Sequence, residues 1–154
     1  MAITEVNSAT FLADTINLIR DKIKTNITDP IVTIRPAHEK FVLTSYPKRS
    51  VTYPIITITD RGILQPGRLG MASEGTVLNM NIEVRIWARN VRERDELTQE
   101  VYDYLRTNQL DNVTGLADSN LHDFTLSSAV NIDEEGEAGI RSKVCEYNFL
   151  IIII

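Results

Sequence analysis

The amino-acid sequence predicts an α+β fold, in which two helices pack on one face of a mainly antiparallel, mixed sheet of four to five strands. The first observation is the stretch Thr76–Arg89, where apolar and polar residues alternate as in a strand with one buried face. The second is Val91–Asn108, which is rich in helix-forming residues and carries an apolar stripe at three- and four-residue steps. The third is the order of the other segments, with a helix and short strands before this unit and a strand pair after it.

The first third of the chain predicts one helix followed by strands. From about Ser8 to Asn26, leucine and isoleucine recur at helical spacing, and Asp29-Pro30 ends this helix because a proline disfavours helical geometry in the residue before it. Two short runs of β-branched or apolar residues, Ile31–Arg35 and Phe41–Thr44, predict brief strands. Val51–Asp60 predicts a longer and more regular strand.

The segment Arg61–Gly75 contains four glycines and one proline and has no sustained period. This composition predicts a long loop or a mobile hairpin arm. Loops of this length are uncommon inside compact domains and tend to be functional. We therefore expect Arg61, Gly67 and Arg68 to contact a partner.

The last third of the chain predicts a strand pair, formed by Leu121–Asp133 and Ile140–Ile154. The connection between them contains Glu134, Glu135 and Glu137, which predict a solvated turn whose carboxylates are candidate partner contacts. A calcium site in this turn is the weaker alternative, because the ligand spacing of an EF-hand is missing. One face of the first strand is expected to carry Phe124, Leu126, Val130 and Ile132.

The end of the last strand, Phe149–Ile154, is apolar on both faces. A run of this kind, without charge or proline, has the composition of an aggregation-prone segment and is a liability at a free sheet edge. Either the strand is central in the sheet or a neighbouring subunit covers it. On the second alternative, Phe149, Ile151 and Ile153 are the candidate subunit-interface residues.

Composition narrows the possible classes of protein. The 154 residues have the usual size of one domain, so we expect residues 1–154 to form a single domain. The net charge of −5 argues against a broad phosphate-binding surface, which needs clustered lysine and arginine. The sequence does not begin with a basic segment and an apolar run, and no apolar run approaches the ~20 residues of a membrane span. We therefore expect neither a signal peptide nor a membrane contact.

The sequence offers no set of catalytic or metal-binding residues, so we expect neither an enzyme nor a cofactor. His38 and His122 are not at metal-ligand spacing from each other or from Cys145, and the single cysteine cannot form an internal disulfide. No glycine-rich phosphate loop or catalytic motif is present. A local basic cluster is interpreted as exposed charge, with nucleic-acid contact as the alternative; it consists of Arg85, Arg89, Arg92 and Arg94.

These elements, in this order, resemble the tail terminator proteins of long-tailed phages, also called tail completion or tail-to-head joining proteins. The resemblance spans nearly the whole chain, and order and spacing carry it rather than signature residues. It consists of an amphipathic helix at Phe11–Ile23, a strand with YPIITIT at Tyr53–Thr59, a long loop or arm, a strand with NIEVRIWAR at Asn81–Arg89, a helix with RDELTQEVYDYL at Arg94–Leu105, and a closing pair of strands.

The resemblance implies a virion structural protein with no catalytic residues, cofactor or membrane contact. Members of this family form a hexameric ring that caps the tail tube and docks on the head–tail connector protein. DNA passes through the central hole without sequence-specific binding. The implied location is the tail or neck of the virion, and the host cytoplasm during assembly. The nearest alternative is a head-completion, neck or tail-tube-related subunit. An alternative from a different class is a small cellular α+β domain that binds a partner.

Overall fold

A computed structural model describes residues 11–48, 51–69, 75–107, 121–133 and 140–153 of the chain. These residues form two helices and a five-stranded mixed sheet, which confirms the predicted α+β class. In chain order the elements are α1 (Phe11–Asn26), β1 (Val42–Leu43), β2 (Ile55–Leu69), β3 (Gly75–Ala88), α2 (Val91–Thr107), β4 (Leu121–Asp133) and β5 (Arg141–Ile153).

The sheet has the strand order β1-β2-β3-β5-β4. The short β1 is parallel to β2, and every other neighbouring pair is antiparallel. Because β5 lies between β3 and β4, its backbone is hydrogen-bonded on both sides. The apolar C-terminal strand is therefore central in the sheet, which is the first of the two alternatives that its sequence left open.

The core follows from the alternation of β3 and β5. Met80 pairs with Phe149 and Ile82 pairs with Tyr147, and all four side chains are almost completely buried. The intervening residues of β3 are only half-buried, as the predicted period requires. The sheet residues of the core cluster are Val42, Ile56, Ile58, Leu78, Met80, Ile82, Val84, Ile86, Leu121, Phe124, Cys145, Tyr147, Phe149 and Ile151.

The two helices contribute their apolar stripes to the same core cluster. The residues from α1 are Leu18, Ile19 and Ile23, and those from α2 are Leu97, Val101, Tyr104 and Leu105. The α2 stripe is the one that the sequence predicts. Its burial against hydrophobic neighbours supplies most of the stability that an isolated helix of this length would lack.

A tight connection joins β3 to α2. The Asn90 side chain accepts a hydrogen bond from the backbone N–H of Glu93 at 2.9 Å, and the Glu93 carboxylate accepts one from the backbone N–H of Arg89 at 3.1 Å. These two bonds satisfy backbone donors that a helix start leaves free. The change from strand to helix is therefore encoded in the residues Arg89–Glu93.

The segment Ile31–Arg35 is a hydrogen-bonded turn, so the predicted strand at this position is wrong. The backbone N–H groups of Ile34 and Arg35 both donate to the carbonyl of Ile31, at 3.0 and 2.8 Å. The Asp29 carboxylate also accepts a bond from the backbone N–H of Ile31. These local bonds outweigh the β-branched composition, because strand propensity depends on cross-strand neighbours that this segment lacks.

The predicted loop Arg61–Gly75 is largely a hairpin ladder. β2 continues to Leu69 and β3 begins at Gly75, so only residues 70–74 lie outside the described structure. The glycines and the proline are accommodated by two register shifts in β2, one after Asp60 and one after Leu64. The pairing supports the hairpin interpretation over the loop.

β4 carries a register shift that divides its apolar residues between the two faces of the sheet. Leu126 pairs with Tyr147, a core residue, but after the shift Ser128 pairs with Glu146 on the opposite face. Val130 and Ile132 therefore leave the core face and are exposed. The prediction that they share a face with Phe124 and Leu126 is wrong for this reason.

Candidate protein-interaction surfaces

The face of the sheet opposite the core, which we call the polar face, carries mainly hydrophilic residues. The strand register brings them together in cross-strand rows, so each row contains one residue from each of four strands. The polar face contains Thr57, Thr59, Arg61, Asn79, Asn81, Glu83, Arg85, Trp87, Ser128, Val130, Ile132, Ser142, Val144, Glu146 and Asn148.

Arg61, a predicted contact residue, lies at the centre of this face. Glu83 and Glu146 are paired directly across β3 and β5, where two like charges destabilise a sheet. Arg61 bridges them, with its Nε 2.9 Å from a Glu83 oxygen and its Nη2 3.4 Å from a Glu146 oxygen. The register shift between Asp60 and Gly62 places Arg61 as the extra residue of a bulge. Arg61 therefore has a structural role, although half of its side chain remains exposed.

A cluster around Trp87 covers one end of the polar face. The Arg85 guanidinium lies 3.8 Å from the centre of the Trp87 ring, and the ring of Tyr46 is 4.8 Å from the same indole. The indole N–H donates to the hydroxyl of Thr57 at 3.1 Å, and Arg85 donates to the hydroxyl of Ser142 at 3.1 Å. These contacts hold Arg85 against the sheet by cation–π attraction and a hydrogen bond.

The other arginines of the predicted basic cluster are each paired with a carboxylate. Arg89 binds Glu93, and Arg92 lies 2.7 Å from a Glu96 oxygen four residues on. Arg94 binds the adjacent Asp95 at 3.0 Å, and only 7% of its side chain is exposed, so its assignment as an exposed charge is wrong. With these pairs in place, the cluster offers little net positive charge to a nucleic acid.

The three candidate interface residues at the C-terminus belong to the interior of the chain or lie outside the described side chains. Phe149 is 1% exposed and stacks on Phe124 with ring centres 4.6 Å apart, and Ile151 is completely buried. Both side chains are packed inside the core of their own chain, so their assignment to a subunit interface is wrong. The backbone of Ile153 pairs with Thr76, and its side chain is outside the described set.

The remaining predicted contact residues are placed only in part. The backbones of Gly67 and Arg68 pair with β3 near the end of the hairpin. Nothing is described of their side chains. Glu134, Glu135 and Glu137 lie outside the described residues, so their contact with a partner stays a prediction.

Arg35 is the anchor of the turn that precedes β1. Only 5% of its side chain is exposed, and its Nε lies 2.6 Å from an Asp29 oxygen. The guanidinium also donates to the backbone carbonyls of Thr52, at 2.7 Å, and of Pro54. Burial raises the pKa of the Asp29 carboxyl. The hydrogen bonds from Arg35 and from the backbone of Ile31, together with the charge of Arg35, outweigh burial and lower this pKa below its ordinary value. The turn is thereby fixed to the chain just before β2.

Six large hydrophobic side chains are exposed among the described residues, and the sequence pattern marks none of them as a contact. The exposed fraction ranges from 38% to 68%. Val32, Ile34, Val130 and Ile132 lie in segments with a strand-like pattern that the fold interrupts by a turn or by a register shift. The six residues are Val32, Ile34, Tyr46, Val91, Val130 and Ile132.

These six residues lie at one end of the sheet, which we call the apolar end. The row of paired residues that starts at Ile132 on β4 ends at Ile55, the first residue of β2. Tyr46 contacts Trp87 in this row, and Val91 begins α2 directly beyond β3. Val130 lies two residues before Ile132 on β4, and Val32 and Ile34 belong to the turn that Arg35 fixes to the chain just before β2. An end that exposes this many apolar side chains is typical of a protein–protein contact.

Metal-ligating side chains do not cluster in the described residues. No group of three or more His, Cys, Asp or Glu side chains in these ranges could hold a metal ion. Burial raises the pKa of the Cys145 thiol to about 11, so this cysteine is not a reactive thiolate at neutral pH. Across the same ranges, neither helix is long and apolar enough to cross a membrane.

No known protein family matches the chain, and no curated protein is significantly similar to it in sequence. The function is therefore argued from the fold and from the surfaces described above.

Proposed function

We propose that this protein is a non-enzymatic structural protein of a virion. In this role it caps a tail tube as a hexameric ring, joins the tail to the head–tail connector protein and leaves a central channel for DNA. The proposal places the protein in the tail or neck of the virion, and in the host cytoplasm during assembly.

The observation that carries the proposal is the order of elements along the chain. α1, the β2–β3 hairpin, α2 and the β4–β5 pair follow one another in the order and spacing on which the resemblance to tail terminator proteins rests. The described part of the long central segment is a paired hairpin, so we do not expect Arg61–Leu69 to act as a free loop toward the tube. This restricts the part of the segment that we expect to contact another protein.

The charge distribution supports a channel through which DNA slides. The net charge of −5 is repulsive toward phosphates, and the local arginines are bound to carboxylates or stacked on Trp87. A ring of such subunits would confine DNA without the tight, salt-dependent binding that clustered free cations produce.

A binding experiment separates the proposal from its alternatives. The purified protein is mixed either with tail tubes polymerised from the major tail protein or with isolated connector, and the bound fraction is quantified after sedimentation. The proposal predicts about one ring per tube and binding to the connector as well. Incorporation along the whole tube would favour a tube-related subunit, and binding to the connector alone would favour a head-completion or neck protein.

The same experiment can contradict the virion role altogether. A protein that remains monomeric and binds neither tubes nor connector would favour the cellular partner-binding domain. The exposed apolar end would then be the surface to which such a partner binds, because it is the largest grouping of exposed hydrophobic side chains in the described residues.

A further inference from the structure

We propose that a cavity between the C-terminal half of α2 and the strand pair β4–β5 binds a small, neutral aromatic molecule that carries a carbonyl oxygen. The hydroxyl of Tyr147 donates a hydrogen bond to this oxygen, and the surrounding rings and leucines hold the aromatic part. This binding site is independent of the proposed role in the virion, which needs no small molecule.

The cavity, which we call the tyrosine cavity, has a volume of about 280 Å³. An apolar cavity of about 150 Å³ is already large enough to hold a benzene molecule. The tyrosine cavity therefore has room for one aromatic ring with a short substituent. Its main lining residues are Tyr102, Leu105 and Arg106 from α2, Phe124 and Leu126 from β4, and Tyr147 from β5.

The walls of the tyrosine cavity favour an aromatic occupant. Phe124 is only 7% exposed, and its ring is held by stacking on Phe149. The Tyr102 ring is partly buried and packs against the core cluster from the side of the helix. Aromatic rings attract one another in offset and edge contacts beyond the area that they bury. A flat ring placed among Tyr102, Phe124 and Tyr147 therefore gains more than an aliphatic chain of the same size.

The Tyr147 hydroxyl is the polar group of this cavity that requires a partner. Tyr147 is only 1% exposed, and its hydroxyl has no hydrogen-bond partner within the described part of the chain. Buried polar groups without a partner are uncommon in native proteins and cost free energy. Burial raises the pKa of Tyr147, and the neighbouring Cys145 and Tyr102 raise it further, so the phenol is protonated at neutral pH and can donate. An acceptor oxygen on a molecule in the cavity would satisfy this donor.

Charge around the cavity favours a neutral carbonyl compound over a carboxylate. The Arg106 guanidinium lies 5.5 Å from the centre of the Tyr102 ring and 3.6 Å from an Asp103 carboxylate oxygen. Arg106 is therefore already engaged by a ring and by a carboxylate of its own chain. A carboxylate that entered the cavity would lose its hydration without a new ion pair in the described lining, and this loss is far larger than that of a ketone.

Two probes of the same shape test the hydrogen bond. Acetophenone carries a carbonyl oxygen, and α-methylstyrene has a CH₂ group in its place. NMR titration of the full chain gives both dissociation constants, and the methyl signals of Leu105 and Leu126 report whether the probes bind in the tyrosine cavity. Benzoate, the charged probe of similar size, should bind more weakly than acetophenone.

Tyr147→Phe removes only the hydroxyl, and because this hydroxyl has no partner in the described residues, the variant should melt close to the unchanged protein. It should bind acetophenone at least about fivefold more weakly, since the carbonyl oxygen is then buried without a donor. Its affinity for α-methylstyrene should change by less than about twofold. The matched control is Tyr104→Phe, which makes the same chemical change at a buried tyrosine of α2 outside this lining and should leave both affinities unchanged.

A selective loss of acetophenone affinity in Tyr147→Phe supports the inference. The inference is overturned if neither probe binds up to its solubility limit, or if Tyr147→Phe weakens both probes equally or neither of them. Benzoate that binds as tightly as acetophenone would overturn the assignment of a neutral ligand. Capping of tail tubes is measured separately, so a failure at this site leaves the proposed function standing.

Discussion

Replacement of Arg35 by alanine should destabilise the fold strongly. The guanidinium is almost completely buried and makes hydrogen bonds to the Asp29 carboxylate and to the carbonyls of Thr52 and Pro54. Removing one partner of a buried ion pair leaves the other charge uncompensated and typically costs about 3–5 kcal/mol. Since a domain of this size is stable by about 5–15 kcal/mol, the loss is a large part of the total. The expected decrease in melting temperature is about 6–20 °C.

Urea denaturation followed by circular dichroism and by the fluorescence of Trp87, the single tryptophan, measures this loss. Lys40→Ala is the matched control, because Lys40 is an exposed cation in the same part of the chain, and we expect a change below about 0.5 kcal/mol. Arg35→Lys should recover only part of the stability, since an ammonium cannot reproduce the planar fork of a guanidinium.

A double-mutant cycle with Asp29→Asn isolates the pair. We expect a coupling energy above about 1 kcal/mol between Asp29 and Arg35, because the two side chains are in direct contact and shielded from water. A loss below about 1 kcal/mol for Arg35→Ala, the value of a surface pair, would refute the interpretation of Arg35 as the anchor of the turn.

Three further predictions concern the core, the polar face and the response to acid. Val101→Asp should lower the unfolding free energy by several kcal/mol, measured by thermal melting, whereas Glu100→Ala on the exposed side should melt close to the unchanged protein. Arg61→Ala should cost a measurable amount below about 1 kcal/mol, because the side chain is half exposed, and no detectable loss in urea denaturation would contradict the bridging role. The pKa of Asp29 is depressed below its ordinary value of 3.8, so its stabilising contribution is present above that pH and is lost as the pH falls through the lower, folded value. The Asp29→Asn variant should therefore lose less stability than the unchanged protein between about pH 4 and pH 2, and equal slopes would argue against the shift.

Much of the fold could be predicted because hydrophobic periodicity is strong where burial is one-sided. The strand at Thr76–Arg89 and the helix at Val91–Asn108 match β3 and α2 closely, and Leu121–Asp133 matches β4. These segments bury one face against the core, so the regular spacing of their apolar residues is visible in the sequence.

The parts that could not be predicted depend on contacts between distant residues. Ile31–Arg35 has strand-like composition, but Arg35 reaches the backbone just before β2 and fixes a turn instead. The register shift before Ser128 reverses the faces of β4, and no local residue pattern marks it. The exposure of Val32, Ile34, Val130 and Ile132 at the apolar end escapes the sequence pattern for the same reason, because this turn and this bulge expose them.

The predicted site residues show the same limit. Arg61 lies in the segment that the sequence predicts to be a loop or hairpin arm, and in the structure it bridges Glu83 and Glu146, which are paired across two strands. The apolar run that contains Phe149 is compatible with a subunit interface in sequence, but the strand order places this run in the centre of the sheet. Strand order is a property of the whole chain, and the composition of one strand does not reveal it.

Electron microscopy of tail-tube ends shows whether the protein caps the tube as a ring. Tubes that lack a terminator are incubated with the purified protein, and the two ends are imaged and averaged separately. We expect a ring with sixfold symmetry and an open centre at one end of each tube, and bare tubes in the absence of the protein. Tube ends that stay bare at saturating protein, or density distributed along the tube wall instead of at one end, would contradict it.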